Sequence, residues 1–156
     1  MSNSKVQSAS PLGPIGVEAA LIAARDASFE PKVTLFEEFG LKGRVAMISG
    51  GNRGLGLEMA LALCEAGAIV YCLDLPKAPG SEWQATRAYV ERLKVEKARL
   101  EYLSVDVTDQ QACWNAGENI AEKEGRMDIC IAAAGILHGA DSLEYPAKDF
   151  QKASRL

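Results

Sequence analysis

The sequence has no apolar run near the ~20 residues that a bilayer-spanning helix needs, which excludes a helical membrane protein. It has no surplus of positive charge. With 17 Lys and Arg against 21 Asp and Glu, the formal net charge is −4, and a nucleic-acid partner, which wants a clustered basic surface, is not expected. The first ten residues carry one Lys and no hydrophobic stretch, so no secretory signal is read there. There is no Cys-x-x-Cys pair and no Cys/His cluster at metal spacing, and His138 is the single histidine. Metal ligation and a Ser/His/Asp triad are therefore not expected, and His138 reads as loop surface. Cys64, Cys72, Cys113 and Cys130 each sit inside an apolar stretch and read as reduced, buried core thiols, which makes the cytoplasm the expected address. Internal repeats and low-complexity tracts are also missing.

What is present is the composition of one globular domain, 48% hydrophobic and 24% charged. Residues 1–40 form an extension that reads as largely irregular, broken by Pro11, Pro14 and Pro31, with a short helix expected over 17–25. From Leu41 the texture changes. Residues 44–49 and 68–73 are apolar runs bounded by Gly or Asp and read as buried strands, with further strands at 100–105 and 128–133. Helical spacing fills the gaps: 55–66, stopped by Gly67; 81–96, with Trp83, Tyr89 and Leu93 as inward positions; and a third helix running to Glu124 and stopped by Gly125. Thr108-Asp109-Gln110-Gln111 has the form of a capping box at the start of that third helix. Glu37-Glu38 and Glu122-Lys123-Glu124 read as solvated surface, and Trp83 and Trp114 as core or interface positions. Alternating apolar strands and helices imply an α/β fold, a doubly wound parallel sheet over 41–156 with helices on both faces, reaching its fourth strand.

The chemistry concentrates in the loop between the first strand and the first helix, Gly50-Gly51-Asn52-Arg53-Gly54-Leu55-Gly56. A strand must turn sharply into a helix there. One glycine takes a backbone conformation closed to other residues, and another lets the chain approach a bound pyrophosphate. The helix N-terminus adds unpaired N–H groups and the positive end of its dipole. Asp74 falls 24 residues after Gly50, at the end of the second strand, where a carboxylate accepts hydrogen bonds from both hydroxyls of an adenosine ribose. A tight turn alone would explain the glycines but not the acid. No Gly-Lys-Ser/Thr follows, which excludes a P-loop, while a methyltransferase-type site uses a similar turn and acid and stands as an alternative.

The stretch from Leu41 to Gly56 resembles the opening of the short-chain dehydrogenase/reductase family, with Ser49 where threonine is usual. Asp106-Val107-Thr108 is similar to that family's Asp-Val element, and Ile131-Ala132-Ala133-Ala134-Gly135 to its Asn-Asn/Ala-Ala-Gly element. The match runs roughly from Leu41 to Lys152 and looks most like the fungal sugar and polyol reductases. The resemblance implies a Rossmann sheet and NAD(P)-dependent hydride transfer between nicotinamide and a small alcohol or carbonyl substrate. It implies Asp106 as an adenine contact and the 131–135 element along the cofactor ribose. The residues expected on the cofactor are thus Gly50, Asn52, Arg53, Gly54, Leu55, Gly56, Asp74, Asp106, Val107, Ala132, Ala133 and Gly135. Ala132 replaces the usual Asn and removes an amide that would tie the fourth strand to its neighbour.

The family's catalytic Ser, Tyr and Lys follow a fifth strand, and none can be assigned within these 156 residues. Tyr145 is followed by Pro146-Ala147-Lys148, a spacing that cannot mimic Tyr-x-x-x-Lys on one helix face, so Tyr145 and Lys148 read as loop and helix-start residues. Asp74 repels a 2′-phosphate, and Leu75 stands where a phosphate-binding Arg would help. Arg53 pulls the other way, since family members that bind NADP often carry a basic residue there. NAD is the expected cofactor, with NADP the alternative. Two readings stand beside the oxidoreductase: a non-catalytic nucleotide-binding module, and a truncated product with no independent role. The second is motivated by the fourth strand, central in the doubly wound order, whose apolar edge at 128–133 would lie open and predicts poor solubility or a homo-oligomer.

Overall fold

The computed structural model of the chain describes residues 13–14, 16–32, 35–137, 139–141 and 143–154, with no account of the side chains of Leu35 and Lys152. His138 and the last two residues lie outside this set. The chain divides into two compact units, Met1–Gly40 and Leu41–Leu156. In the first, α1 spans Gly16–Ala23, close to the expected helix, and a single unexpected turn, α2, spans Leu35–Glu38. No residue of α1 is buried.

The second unit holds β1 (Val45–Ser49), α3 (Gly54–Glu65), β2 (Ile69–Asp74), α4 (Ser81–Leu93), β3 (Arg99–Ser104), α5 (Gln110–Glu124), β4 (Ile129–Ala132) and α6 (Ala147–Ala153). All strand pairs are parallel, in the order β3-β2-β1-β4, so the chain reverses direction across the sheet between β1 and β4. Strand alternation sorts the core into two layers. Ala46, Ile48, Val70 and Cys72 pack with Leu57, Ala60 and Cys64 of α3 and Trp83 and Val90 of α4. Val45, Ile69, Tyr71 and Leu73 pack on the opposite face with Ala116 and Ile120 of α5. Both faces of β1 and β2 are therefore covered, which is why these strands read as unbroken apolar runs. The sheet is the expected doubly wound one.

Several local expectations are corrected. Helix α4 ends at Leu93 rather than at Glu96, because Lys94 adopts a left-handed φ of 55° without a glycine to announce it. Its inward residues are Trp83 and Val90, while Tyr89 is 49% exposed and Leu93 only half-buried. The seven-residue spacing of Trp83 and Val90 is one helix stripe, and Tyr89 lies off it. The N-cap of α5 is Asp109, whose carboxylate accepts from the Ala112 amide, and the Thr108 hydroxyl donates instead to Asp106. The capping box forms one residue later than expected and without its Gln arm. Cys64 and Cys72 are buried core thiols, pushed up to about 12 and about 11 by burial first of all. Cys113 is half-buried, and Cys130 is exposed on β4, the last strand in the order β3-β2-β1-β4. Helix α6, just after Pro146, falls where only a helix start at Lys148 was expected.

Candidate functional site

The glycine loop leaves the carboxyl end of β1, at the crevice where the strand order reverses, the usual ligand position of open α/β sheets. Gly50 turns the chain with φ 69°, and a Cβ there would lie 2.7 Å from the Ala134 Cα. A Cβ on Gly56 would lie 2.3 Å from the Gly50 carbonyl oxygen, so α3 starts pressed against the loop it follows. Gly54 differs from both: its φ is 57°, yet nothing lies within 4 Å of a Cβ built on it. A Cβ on Gly51 would likewise lie 2.7 Å from the Cys72 Cβ, so three of the loop's four glycines are demanded by the protein itself, and Gly54 faces open space at the helix tip.

The amides of the loop divide likewise. Gly50 and Gly51 donate to the Leu73 carbonyl, and Asn52 donates to Asp74 Oδ2 at 3.1 Å. These three are consumed by the chain. At the helix tip, Arg53 offers α3 no side-chain cap, and no acceptor among the described residues takes the amides of Gly54, Leu55 or Gly56. A helix N-terminus with three unpaired donors is an anion site in waiting.

Asp74, at the end of β2, is aimed by its own neighbourhood. Besides the Asn52 amide on Oδ2, the Leu75 amide donates to Oδ1 at 2.8 Å. Asn52 also reaches the other way, its Oδ1 accepting from the Gly80 amide at the N-cap of α4. The Tyr102 hydroxyl donates to the Pro76 carbonyl and the Ser104 hydroxyl to that of Leu75, so residues 75–80 are fastened along their length. Burial, then the charge of Asp74, raises the Tyr102 hydroxyl above its ordinary range and keeps it a donor at neutral pH. Across the crevice, the Ser49 hydroxyl accepts from both the Ala133 and Ala134 amides at 3.2 Å, tying the segment after β4 to the end of β1.

These pieces enclose a cleft of about 690 Å³, within the usual range for a small-molecule site. Gly50, Asn52, Arg53, Gly54, Leu55, Gly56, Asp74, Asp106, Val107, Ala133 and Gly135 line it. Of the residues expected on the cofactor, Ala132 alone does not: it is the last residue of β4, and alternation turns it to the exposed α5-side face. Asp106 carries hydrogen bonds from the Thr108 hydroxyl and amide, which hold its carboxyl below the ordinary carboxylate range. Leu75 and Ala134, which the sequence places beside the cofactor without marking them as contacts, also line the cleft, as do Pro76, Val105 and Ile136, which it does not single out. Each lies within two positions of an expected residue in the chain, so the signal was there in the neighbours. Tyr145 precedes Pro146 outside α6, and Lys148 lies in the first turn of that helix.

The family model for short chain dehydrogenases matches residues 44–156. A short chain dehydrogenase/reductase of Aspergillus versicolor, notP', is 30% identical over 131 residues, which cover 83% of this chain and 44% of that one. A dehydrogenase/reductase of Sinorhizobium meliloti superposes with a TM-score of 0.68 at 28% identity, over 78% of this chain and 46% of that one. The carveol dehydrogenase of Mycobacterium avium, solved in complex with NAD, gives a TM-score of 0.61 at 28% identity, over 74% and 44%. The chain thus spans less than half the length of these relatives. With its family match and its doubly wound sheet, the chain belongs to the short-chain dehydrogenase family.

Proposed function

We infer that the chain is the cofactor-binding part of an NAD-dependent oxidoreductase. The observation that carries this is the pairing of an unpartnered helix tip with an oriented acid across one cleft. The amides of Gly54, Leu55 and Gly56 are placed to take a diphosphate, and Asp74 to take the adenosine ribose hydroxyls. The residues fit that group in a further respect: the bare face of Gly54 leaves room where a side chain would obstruct it. Asp106 and Val107 form the adenine end, and Ala133 and Gly135 the wall toward the nicotinamide end. The bound nicotinamide would supply or accept a hydride in exchange with an alcohol or carbonyl carbon.

NAD is favoured over NADP because the Asp74 carboxylate would meet a 2′-phosphate as a like charge. Arg53 lines the same cleft and softens that preference. The proposal includes a cytoplasmic setting, in keeping with four free cysteines, and self-association through the open edge of β4.

A second reading concerns these 156 residues taken alone: dinucleotide binding without turnover. None of Tyr71, Tyr89, Tyr102 and Tyr145 has a lysine four residues on, so no acid/base pair of the family's kind can be drawn within these 156 residues. Titration of the purified chain with NADH tests both readings. Saturable binding is expected, weakened about tenfold by Asp74→Ala, with NADPH affinity rising toward that of NADH. Absence of binding at millimolar NADH removes both, and NAD-dependent alcohol oxidation by the chain removes the second.

A further inference from the structure

Asn52 sits where the glycine loop, the end of β2 and the start of α4 meet. Its amide nitrogen holds Asp74 Oδ2, and its side-chain oxygen accepts from the Gly80 amide at 2.8 Å. Gly80 has no side chain with which to cap α4, and the hydrogen bond its amide donates to Asn52 Oδ1 ties that helix start to the loop. Between the two anchor points runs the short segment from Leu75 to Pro79, and Leu75 and Pro76 are walls of the cleft beside Asp74. Residue 52 therefore touches both ends of the segment that carries the acid and its flanking walls.

We propose that Asn52 is a positioning residue for cofactor discrimination: it straps the 75–80 segment to the glycine loop and thereby fixes Asp74 where it favours a free ribose over a 2′-phosphorylated one. This rests on the dinucleotide reading above and adds to it how the acid is held. The physical argument is one of differential use. A cofactor with free ribose hydroxyls gains from a fixed carboxylate, because the hydrogen bonds are already aimed when it arrives. A 2′-phosphorylated cofactor gains nothing from that carboxylate and is repelled by it. Loosening the strap must weaken the first cofactor and spare the second, whereas general damage to the loop would weaken both, since both share the helix-tip amides.

Three variants of the full chain test this, all read by NADH and NADPH titration and the two Asn52 variants also by hydrogen exchange at the Gly80 amide. Asn52→Leu removes the acceptor at similar size. Gly80→Pro removes the donor from the opposite side, at a φ of −71° that proline accepts. Asn52→Asp keeps an accepting oxygen. In the wild-type chain the Gly80 amide is expected to exchange slowly. Asn52→Leu should expose it, and Asn52→Asp should restore its protection. Asn52→Leu and Gly80→Pro should each weaken NADH about fivefold to tenfold while NADPH changes by less than about twofold, the loss of one well-aimed hydrogen bond. Equal weakening of both cofactors overturns the proposal, as does a Gly80 amide indifferent to Asn52→Leu. Should Asn52→Leu fail to give a cooperative melt, Gly80→Pro decides the matter by the NADH and NADPH titrations alone, since it carries no amide hydrogen at position 80. A wild-type chain that binds neither dinucleotide while its Gly80 amide is protected overturns the cofactor reading, and the discrimination role with it, but leaves the strap as a structural fact.

Discussion

The two ends of the parallel sheet handle their polar groups in opposite ways. At the amino end, Asp128 accepts from the Val45 amide, from Arg44 and from Arg126. Glu124 accepts from Arg99 and from the Tyr71 hydroxyl, and its side chain is only 10% exposed. Donors and acceptors there are matched within the chain. At the carboxyl end, Gly54, Leu55 and Gly56 keep unpaired amides, and the carboxylates of Asp74 and Asp106 line a cleft. One end is organised for holding strands together and the other for receiving something, so the two ends should respond differently to the same class of mutation.

The largest effect is expected where the receiving end is also packed. Gly56→Ala puts a methyl group 2.3 Å from the Gly50 carbonyl oxygen, both on backbone, so neither rotamer change nor side-chain motion relieves it. Urea denaturation should show a loss of about 2–3 kcal/mol, at the upper range for overpacking, and NADH binding should disappear with the displaced helix tip. A variant as stable as the wild type would mean that α3 is free to slide on the loop, and the contrast between the ends would weaken.

The holding end is tested by acid. Arg126 first, with the Val45 amide and Arg44 behind it and burial opposing, holds the Asp128 carboxyl well below its ordinary value of 3.8. A folded-state value below the unfolded one gives stability that is complete above the ordinary carboxylate range and is lost as pH falls through and below it. Melting temperature followed from neutral pH down into that range should drop steeply for the wild type. It should drop less for Asp128→Asn, which starts lower at neutral pH. Coinciding acid limbs would show that Asp128 is not what ties β4 to β1 at this end.

These two ends were unequally legible in the sequence. The cleft was readable because its chemistry is local: a strand, a glycine loop and a helix are consecutive in the chain, and Asp74 ends the next strand. The holding end was not. Glu122-Lys123-Glu124 reads as solvated surface, yet Glu124, at the end of α5, is turned inward, and its partners Arg99 and Tyr71 lie on β3 and β2. Burial at first opposes its charge, but the hydrogen bonds from Tyr71 and Arg99 outweigh that and hold its carboxyl below the ordinary range. Only the fold brings those residues together. Ser49 failed to stand out for the same reason, since the amides it accepts from belong to residues 133 and 134. Tyr89 and Cys130 were misread because apolar character was taken as burial, and an edge strand or an off-stripe helix position breaks that rule.

A smaller effect on folding, with a large one on binding, is expected at Gly54. A Cβ there meets nothing, so the cost is that of placing alanine at a φ of 57°, about 1 kcal/mol. The methyl group would nevertheless project into the space beside the helix tip. Gly54→Ala should therefore lose NADH affinity by more than about tenfold while losing less stability than Gly56→Ala. Equal losses on both counts would erase the distinction between a glycine required by packing and one required by a ligand.

The smallest effect separates the holding end from mere surface charge. Lys42 and Glu96 approach to 2.6 Å near the start of β1, closer than the 2.9 Å between Arg44 and Asp128, but their side chains are 69% and 65% exposed. Two long side chains in water lose as much in fixing their rotamers as the attraction returns, and salt screens the remainder. Lys42→Ala should leave the urea midpoint within error of the wild type at physiological salt, although the Lys42 hydrogen bond holds the Glu96 carboxyl below its ordinary range. The contrast with Asp128 comes from the Val45 amide. An exposed ion pair returns to water when broken, whereas Asp128 caps a strand start that has no other acceptor among the described residues. A Lys42→Ala loss as large as that of Asp128→Asn would mean that proximity of charge, rather than satisfaction of the backbone, organises the amino end.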